Sequence, residues 1–217
     1  MRLERKLGFY EKYIKRFLDV ICSLLFIIAF CWLYAIIAVI VRVKMGSPVI
    51  FRQPRPGIVK NGKETIFDMY KFRSMTDERG PDGELLPDEI RLTPFGKKLR
   101  SSSLDELPEL FSIIKGDMAV IGPRPLLPKY LPYFSADERV RHEVRGGLTP
   151  PEVLIGKTHT SWDEQFKIEA EYAKHITFVT DIKIIIATIR VVLKRVDSNF
   201  GGDVRKPLDE ERSKKEG

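Results

Sequence analysis

The sequence predicts a helix-rich α/β protein in the loose, α+β sense. A re-entrant N-terminal membrane helix precedes a small globular domain with a short sheet and amphipathic helices at the membrane interface. Three observations predict this. From Val20 to Val41 no residue is charged, and a helix of that length reaches about 33 Å, enough for a hydrocarbon core of roughly 30 Å. Only segments 48–75 and 117–121 have strand-like apolar patterns, which suits a small, partly antiparallel sheet. Residues 160–196 carry two runs of helical apolar periodicity. With 217 residues, the chain has room for one real core plus an appendage.

Taken in order, residues 1–16 form a basic juxtamembrane segment, with Arg2, Arg5, Lys6, Lys12, Lys15 and Arg16 against Glu4 and Glu11. Such a cluster is attracted to an anionic leaflet. The embedded helix covers 17–45, and its far flank is as basic as its near one (Arg42, Lys44, Arg52, Arg55, Lys60, Lys63). The positive-inside rule therefore favours neither spanning orientation, and two basic flanks fit a helix entering and leaving by one face. A signal peptide would have a shorter apolar region, so the segment is expected to be retained.

The globular domain covers 46–196. Ser47 to Gly57 reads as a strand start followed by a Pro/Gly turn, and Thr65 to Met75 as a strand. Thr76 to Asp88 is a polar loop, and Arg91 to Arg100 a short basic helix. The central stretch is Arg100-Ser-Ser-Ser-Leu-Asp-Glu-Leu-Pro-Glu-Leu-Phe-Ser-Ile-Ile-Lys-Gly116. It sets Asp105 and Glu106 at the start of a helix ended by Gly116. Ser103-Leu-Asp-Glu106 fits a capping box, with Ser102 an alternative cap, and on spacing alone capping explains the two acids. Met118 to Ile121 then delivers Gly122-Pro-Arg-Pro125, a rigid turn carrying one guanidinium.

Leu126 to Phe134 mixes prolines with apolar side chains, as an interfacial or a packing loop would. Ser135 to Arg145 reads as helical. Thr160 to Ile176 is an amphipathic helix opened by the capping box Ser161-x-x-Glu164, and Asp181 to Val196 a second one with Thr180 as cap. The broad apolar face of the latter serves core packing or membrane docking. Residues 197–217 are Gly- and charge-rich, which predicts a disordered tail.

Composition narrows the chemistry. A net charge of +7 suits an anionic partner, but no nucleic-acid motif is present. Cys22 and Cys31 lie in the apolar run, and His142, His159 and His175 are scattered. Neither a disulfide framework nor a zinc site is indicated.

The motifs together resemble the bacterial sugar transferases, small monotopic polyprenyl-phosphate phosphoglycosyl transferases. The resemblance runs from about Lys15 to Lys194 and is strongest over Phe51 to Phe134. Tyr70-Lys-Phe-Arg73 is similar to the family's Tyr-Lys-Phe-Arg/Lys signature. Where the family helix is broken by Ser-Pro, this chain has Cys31-Trp32, which removes the usual cause of a kink. Where the family has Arg-Pro-Gly-Leu/Ile-Thr-Gly-Leu-Ala-Gln-Val-Asn-Gly-Arg, this chain has Arg145-Gly-Gly-Leu-Thr-Pro-Pro-Glu-Val-Leu-Ile-Gly-Lys157.

The resemblance implies transfer of a sugar-1-phosphate from a UDP-sugar donor to polyprenyl (undecaprenyl) phosphate, at the cytoplasmic face of the bacterial inner membrane, with release of UMP. It makes Asp105 the nucleophile of an aspartyl phospho-sugar intermediate. Held ionised by a helix N-terminus, Asp105 could attack phosphorus. Glu106 is expected to ligate metal, move a proton or position the acceptor. Lys71, Arg73, Arg100, Arg124 and Lys157 are candidate phosphate-binding residues, and Mg²⁺ on Asp105 and Glu106 the expected cofactor. Asp77-Glu-Arg79 and Gly83 to Pro87 point to an N-acetylated or diacetamido sugar. The competing expectations are a membrane-tethered basic binding protein, and a family member with lost or altered donor specificity.

Overall fold

A computed structural model describes residues 7–156, 161–195 and 205–213. A wide π-helical turn, Tyr10–Lys15, runs into α1 (Arg16–Ala29), and α2 (Cys31–Met45) follows. The two helical stretches, Tyr10–Ala29 and Cys31–Met45, meet at a 66° bend. The break falls on Phe30, whose φ of −113° and ψ of 18° leave the helical region. A proline is therefore not needed for the bend. No single described helix is long and apolar enough to cross a membrane.

Both ends of this helix pair are fastened to the rest of the chain. Lys15 reaches Asp181 at 2.6 Å, and Asp181 also accepts from the hydroxyls of Tyr10 and Tyr172. Arg16 donates to the carbonyls of Ile113 and Ile114. Asp19 accepts from the Val120 amide. At the other end, Ile37 and Val41 are buried with Phe72 and Leu99. Lys15 and Arg16, expected in a lipid-facing basic cluster, are thus spent inside the protein, because each finds a partner that compensates its desolvation.

The strands β1 (Ile50–Lys60) and β2 (Lys63–Phe72) form an antiparallel hairpin. The expected turn at Pro54 to Gly57 is absent, since β1 runs straight through it. Only one side of β1 pairs among the described residues, so Pro54 and Pro56 are tolerated as edge residues, and a register shift follows Pro56. The real turn is Asn61-Gly62, with both φ angles positive (52° and 78°), as a two-residue hairpin requires.

Two short helices follow, α3 (Asp88–Arg91) and α4 (Pro94–Ser101), the latter capped by Thr93. Gly96 lets α4 approach the hairpin: a Cβ there would sit 1.8 Å from the Ser74 carbonyl oxygen. Next come a 3₁₀ turn (Leu104–Glu106), α5 (Glu109–Lys115) and β3 (Met118–Ile121). The strand β3 does not join the hairpin. It pairs in parallel with β4 (Gly146–Thr149), a strand the sequence reading did not anticipate. The sheet is therefore two separate two-stranded pieces. Close approach at this pairing demands glycine, because a Cβ on Gly147 would lie 2.0 Å from the Gly122 nitrogen.

Residues 128–155 are mostly 3₁₀ turns around β4: Pro128–Tyr133, Glu138–Glu143 and Pro151–Ile155. Helix α6 (Trp162–Lys174) has Ser161 accepting from the Glu164 amide, as expected. Helix α7 (Phe178–Arg195) begins earlier than expected and is capped by Thr177, not Thr180. On it Ile184 is fully buried, while Ile182, Ile185, Ile186 and Ile189 are exposed. Core packing thus falls to Ile184, and the face expected to pack or dock is left exposed.

The tail is corrected over 205–213. Here α8 (Leu208–Ser213) packs Leu208 into a cluster with Trp162 and Phe166, and Arg205 stacks on Trp162 at 3.3 Å. Arg212 pairs with Glu138 and Asp163. Charged side chains with partners do not keep a segment disordered when one leucine has a pocket. Leu208→Ala is expected to cost about 2 kcal/mol, the low end for a buried leucine because α8 can relax; a denaturant melt checks this.

Candidate active site

The acid pair does not open a regular helix. Ser103 sits in the left-handed region (φ 55°) and makes no capping bond, while Ser102 bonds back to the carbonyls of Lys98 and Leu99. The capping-box account of Asp105 and Glu106 is therefore overturned. The 3₁₀ turn carries both acids, and α5 proper starts only at Glu109.

Lys71, near the end of β2, sits beside this turn. Its ammonium lies 2.8 Å from Glu106 and 3.1 Å from Glu109. Glu109 was not expected, although its i,i+3 spacing from Glu106 sets the two on one side of a helical path. It is buried, and burial first and Glu106 second push its carboxyl well above the usual range, with Lys71 opposing. Asp105 is only 6% exposed. Burial and then Glu106 raise its pKa to about 6, against the pull of Lys71, Arg100 and its own amide. The expectation that a helix N-terminus holds Asp105 strongly ionised is corrected: desolvation outweighs the favourable dipole and charges.

The expected cations separate into different uses. Arg100 is exposed at the end of α4; it donates to the Ser74 hydroxyl at 2.8 Å and contacts the Met75 sulfur, yet still acts on Asp105 electrostatically. Arg124 has its amide on Glu169 and its carbonyl on Arg141. Its exposed guanidinium has no hydrogen-bond or ion-pair partner among the described residues. Arg73 makes its hydrogen bonds to partners other than Asp105, Glu106 and Glu109. It is buried and ties the carbonyls of Met45, Ser47 and Met75 and the Asp77 carboxylate, which makes it a clasp between the end of α2 and the strand. Lys157 lies outside the described residues.

Among the described residues no three His, Cys, Asp or Glu side chains form a metal cage. The adjacent carboxylates of Asp105 and Glu106 nonetheless fit Mg²⁺, which takes one or two carboxylates and completes its shell with water and substrate oxygens. Their mutual repulsion, seen in the raised Asp105, is what a cation would relieve.

Behind Arg124 lies a second charged layer. Arg141 is 1% exposed and bonds Glu169, itself fully buried, at 2.7 Å. Glu152, in the divergent Pro150-Pro151-Glu152 segment, has a buried Oε2 without a hydrogen-bond partner among the described residues. Burial and then Glu169 push its carboxyl upward.

The description "Bacterial sugar transferase" matches residues 10–195. The chain is 42% identical over 180 residues to "Uncharacterized sugar transferase EpsL" of Bacillus subtilis (strain 168), covering 83% of this chain and 87% of that protein. It is 36% identical to "Galactosyl transferase CpsE" of Streptococcus agalactiae serotype III (strain NEM316), over 82% of this chain and 42% of that one. It is 33% identical to "UDP-N-acetylgalactosamine-undecaprenyl-phosphate N-acetylgalactosaminephosphotransferase" of Aeromonas hydrophila, over 83% of this chain and 44% of that protein. The chain thus spans most of the first relative and less than half of the other two. With a family match over nearly its whole described length, this chain belongs to the bacterial sugar transferase family.

Proposed function

We propose that the protein transfers a sugar-1-phosphate from a UDP-sugar to undecaprenyl phosphate, yielding undecaprenyl-diphosphate-sugar and UMP. The observation that carries this reading is the buried Asp105 beside a Glu106–Lys71–Glu109 charge chain, in a family whose Aeromonas member is named for that acceptor. A carboxylate poised near neutrality is a usable nucleophile at physiological pH.

In the proposed sequence, an Asp105 oxygen bonds to the β-phosphorus, and UMP leaves with the electrons of the broken P–O bond. An oxygen of the lipid phosphate then attacks the same phosphorus and returns the Asp105 carboxylate. Lys71 holds Glu106 and Glu109 in place and limits the negative charge near the incoming phosphates. Arg124, with a rigid backbone and an unengaged guanidinium, would take phosphate oxygens bidentately. When bound at Asp105 and Glu106, Mg²⁺ would neutralise substrate charge.

We further propose that the bent helix pair is re-entrant and that the body lies at the cytoplasmic face of the inner membrane. Support comes from the fastening of both helix ends to one globular body, and from the exposed apolar residues around the bend (Leu25, Ile28, Phe30, Trp32). The divergent segment around Glu152 favours altered donor preference over lost activity, because Asp105, Glu106, Lys71 and Arg124 are all present. Full-length protein in nanodiscs, given undecaprenyl phosphate, Mg²⁺ and a panel of UDP-sugars, is expected to release UMP with one donor. Absence of release with every donor, from folded protein, would remove the proposal.

A further inference from the structure

The hairpin register sets an additional cation on the face that carries Lys71. Arg55 pairs with Phe67, Gln53 with Met69 and Phe51 with Lys71. Directly opposed residues share a face, so Arg55, Gln53 and Lys71 line one side of the hairpin. The other side carries Ile50, Tyr70 and Phe72. With Tyr34, Ala38 and Phe111 they border an apolar groove of about 530 Å³ against α2. Arg55, Gln53 and Lys71, with the core residues Phe67 and Met69, therefore lie on the face opposite this groove, which Arg52 also borders.

Arg55 is held in an unusual state. One terminal nitrogen donates to Gln53 Oε1 at 2.5 Å, which fixes the plane of the guanidinium. Its Nε is buried with no hydrogen-bond partner among the described residues. A buried donor without an acceptor is costly. Arg124, whose guanidinium is likewise unengaged, is close enough to act on Arg55 electrostatically, as is Glu109. Burial first and Arg124 second lower the Arg55 pKa to about 10, with Glu109 opposing. Two guanidiniums share this region, and the carboxylate they both feel, Glu109, is already paired with Lys71.

We propose that Arg55 and Arg124 form a phosphate subsite, adjoining the Asp105 centre, that takes the phosphate bound to the nucleoside of the donor. This rests on the proposed reaction with a nucleoside diphosphate sugar. The choice of the nucleotide over the lipid phosphate follows from position. Along β1, Arg55 is four residues beyond Phe51, the partner of Lys71, which moves it about 13 Å away from the α2 end of the hairpin. With the helix pair embedded as proposed above, the lipid phosphate approaches from the α2 end. The soluble nucleotide has the far end to itself. In this arrangement the outer phosphate reaches the Lys71–Asp105 region while the inner one is clamped by the two arginines.

The test uses full-length protein in nanodiscs and UDP as the probe, titrated calorimetrically, with wild type, Arg55→Gln and Arg55→Lys. Arg55→Gln is expected to weaken UDP binding about tenfold or more, and Arg55→Lys by less, since charge remains without the fork. Uridine binding and the KM for undecaprenyl phosphate should stay within about twofold. Unchanged UDP affinity in a folded Arg55→Gln protein overturns the subsite. A raised KM for the lipid phosphate with unchanged UDP affinity also overturns it, assigning Arg55 to the acceptor. If Arg55→Gln does not fold, Arg55→Lys decides: wild-type UDP affinity there overturns the proposal. Wild-type UMP release combined with an unaffected variant removes only the subsite, whereas wild type that neither binds UDP nor releases UMP removes the donor reading as well.

Discussion

Asp105→Asn is expected to lower UMP release by at least about 10³-fold, as removal of a nucleophile does, while the protein melts no lower than wild type at pH 8. The second half follows from linkage. The folded-state pKa of Asp105 is about 6 against a reference of 3.8, so folding favours its protonated form. The ionised carboxyl therefore costs stability, a cost that builds as pH rises from about 4 to 6 and is complete above that, of order 2–3 kcal/mol. Asparagine removes the charge and so removes that cost at pH 8; at pH 4 the difference between variant and wild type should vanish. Wild-type turnover should fall with acidity below pH about 6, as Asp105 becomes protonated. A variant that unfolds easily yet keeps turnover would return Asp105 to a structural role, which the left-handed, non-capping Ser103 already disfavours.

Lys71→Met should be the most destabilising single change at the site, and unevenly so with pH. Lys71 compensates Glu106 and Glu109 at 2.8 and 3.1 Å. Without it, three carboxylates face one another in a largely buried space. Breaking a buried pair costs about 3–5 kcal/mol, and the partial exposure of Lys71 places this one near about 3 kcal/mol at pH 8. The sign is fixed by the carboxyls. Losing Lys71 raises the folded-state pKa values of Asp105 and Glu109 further above about 6 and 7, so the penalty is small below about pH 6 and grows as pH rises. Turnover should fall as well, and Glu109→Gln in the same chain should restore part of the stability but not the activity. Melting curves at pH 5 and 8 test the pattern; a pH-independent loss would mean that packing, not charge, is what Lys71 supplies.

Much of this site was legible because it lies in a nearly contiguous string: Arg100, Asp105, Glu106 and Arg124 fall within one short stretch, and Lys71 on a recognisable strand. Glu109 was missed because Leu107-Pro-Glu-Leu110 reads as the ordinary first turn of a helix. Its role depends on Lys71, 38 positions earlier, and local spacing does not contain that partnership. Arg73 shows the reverse error. Two residues after Lys71, it lies just past the end of β2 and is consumed by backbone carbonyls at the end of α2. The strand β4 was hidden because Gly146-Gly147 has no strand propensity of its own; it exists because only glycine admits β3 so closely. Likewise two prolines concealed β1, and a high density of charges concealed α8.

The fastening of both ends of the helix pair to the globular body also has a mechanical meaning. In a protein tethered through a linker, the catalytic carboxylate would ride at a variable height above the lipid. Here Lys15, Arg16 and Asp19 bolt the start of the pair to α7, α5 and β3, and Ile37 and Val41 bolt its return beneath the hairpin. The anchor therefore acts as a fixed stand. If the bend at Phe30 sits in the bilayer as proposed, Asp105 is held at one elevation, set by side-chain packing. Substrates whose phosphate surfaces at that depth are served without any search along the membrane normal.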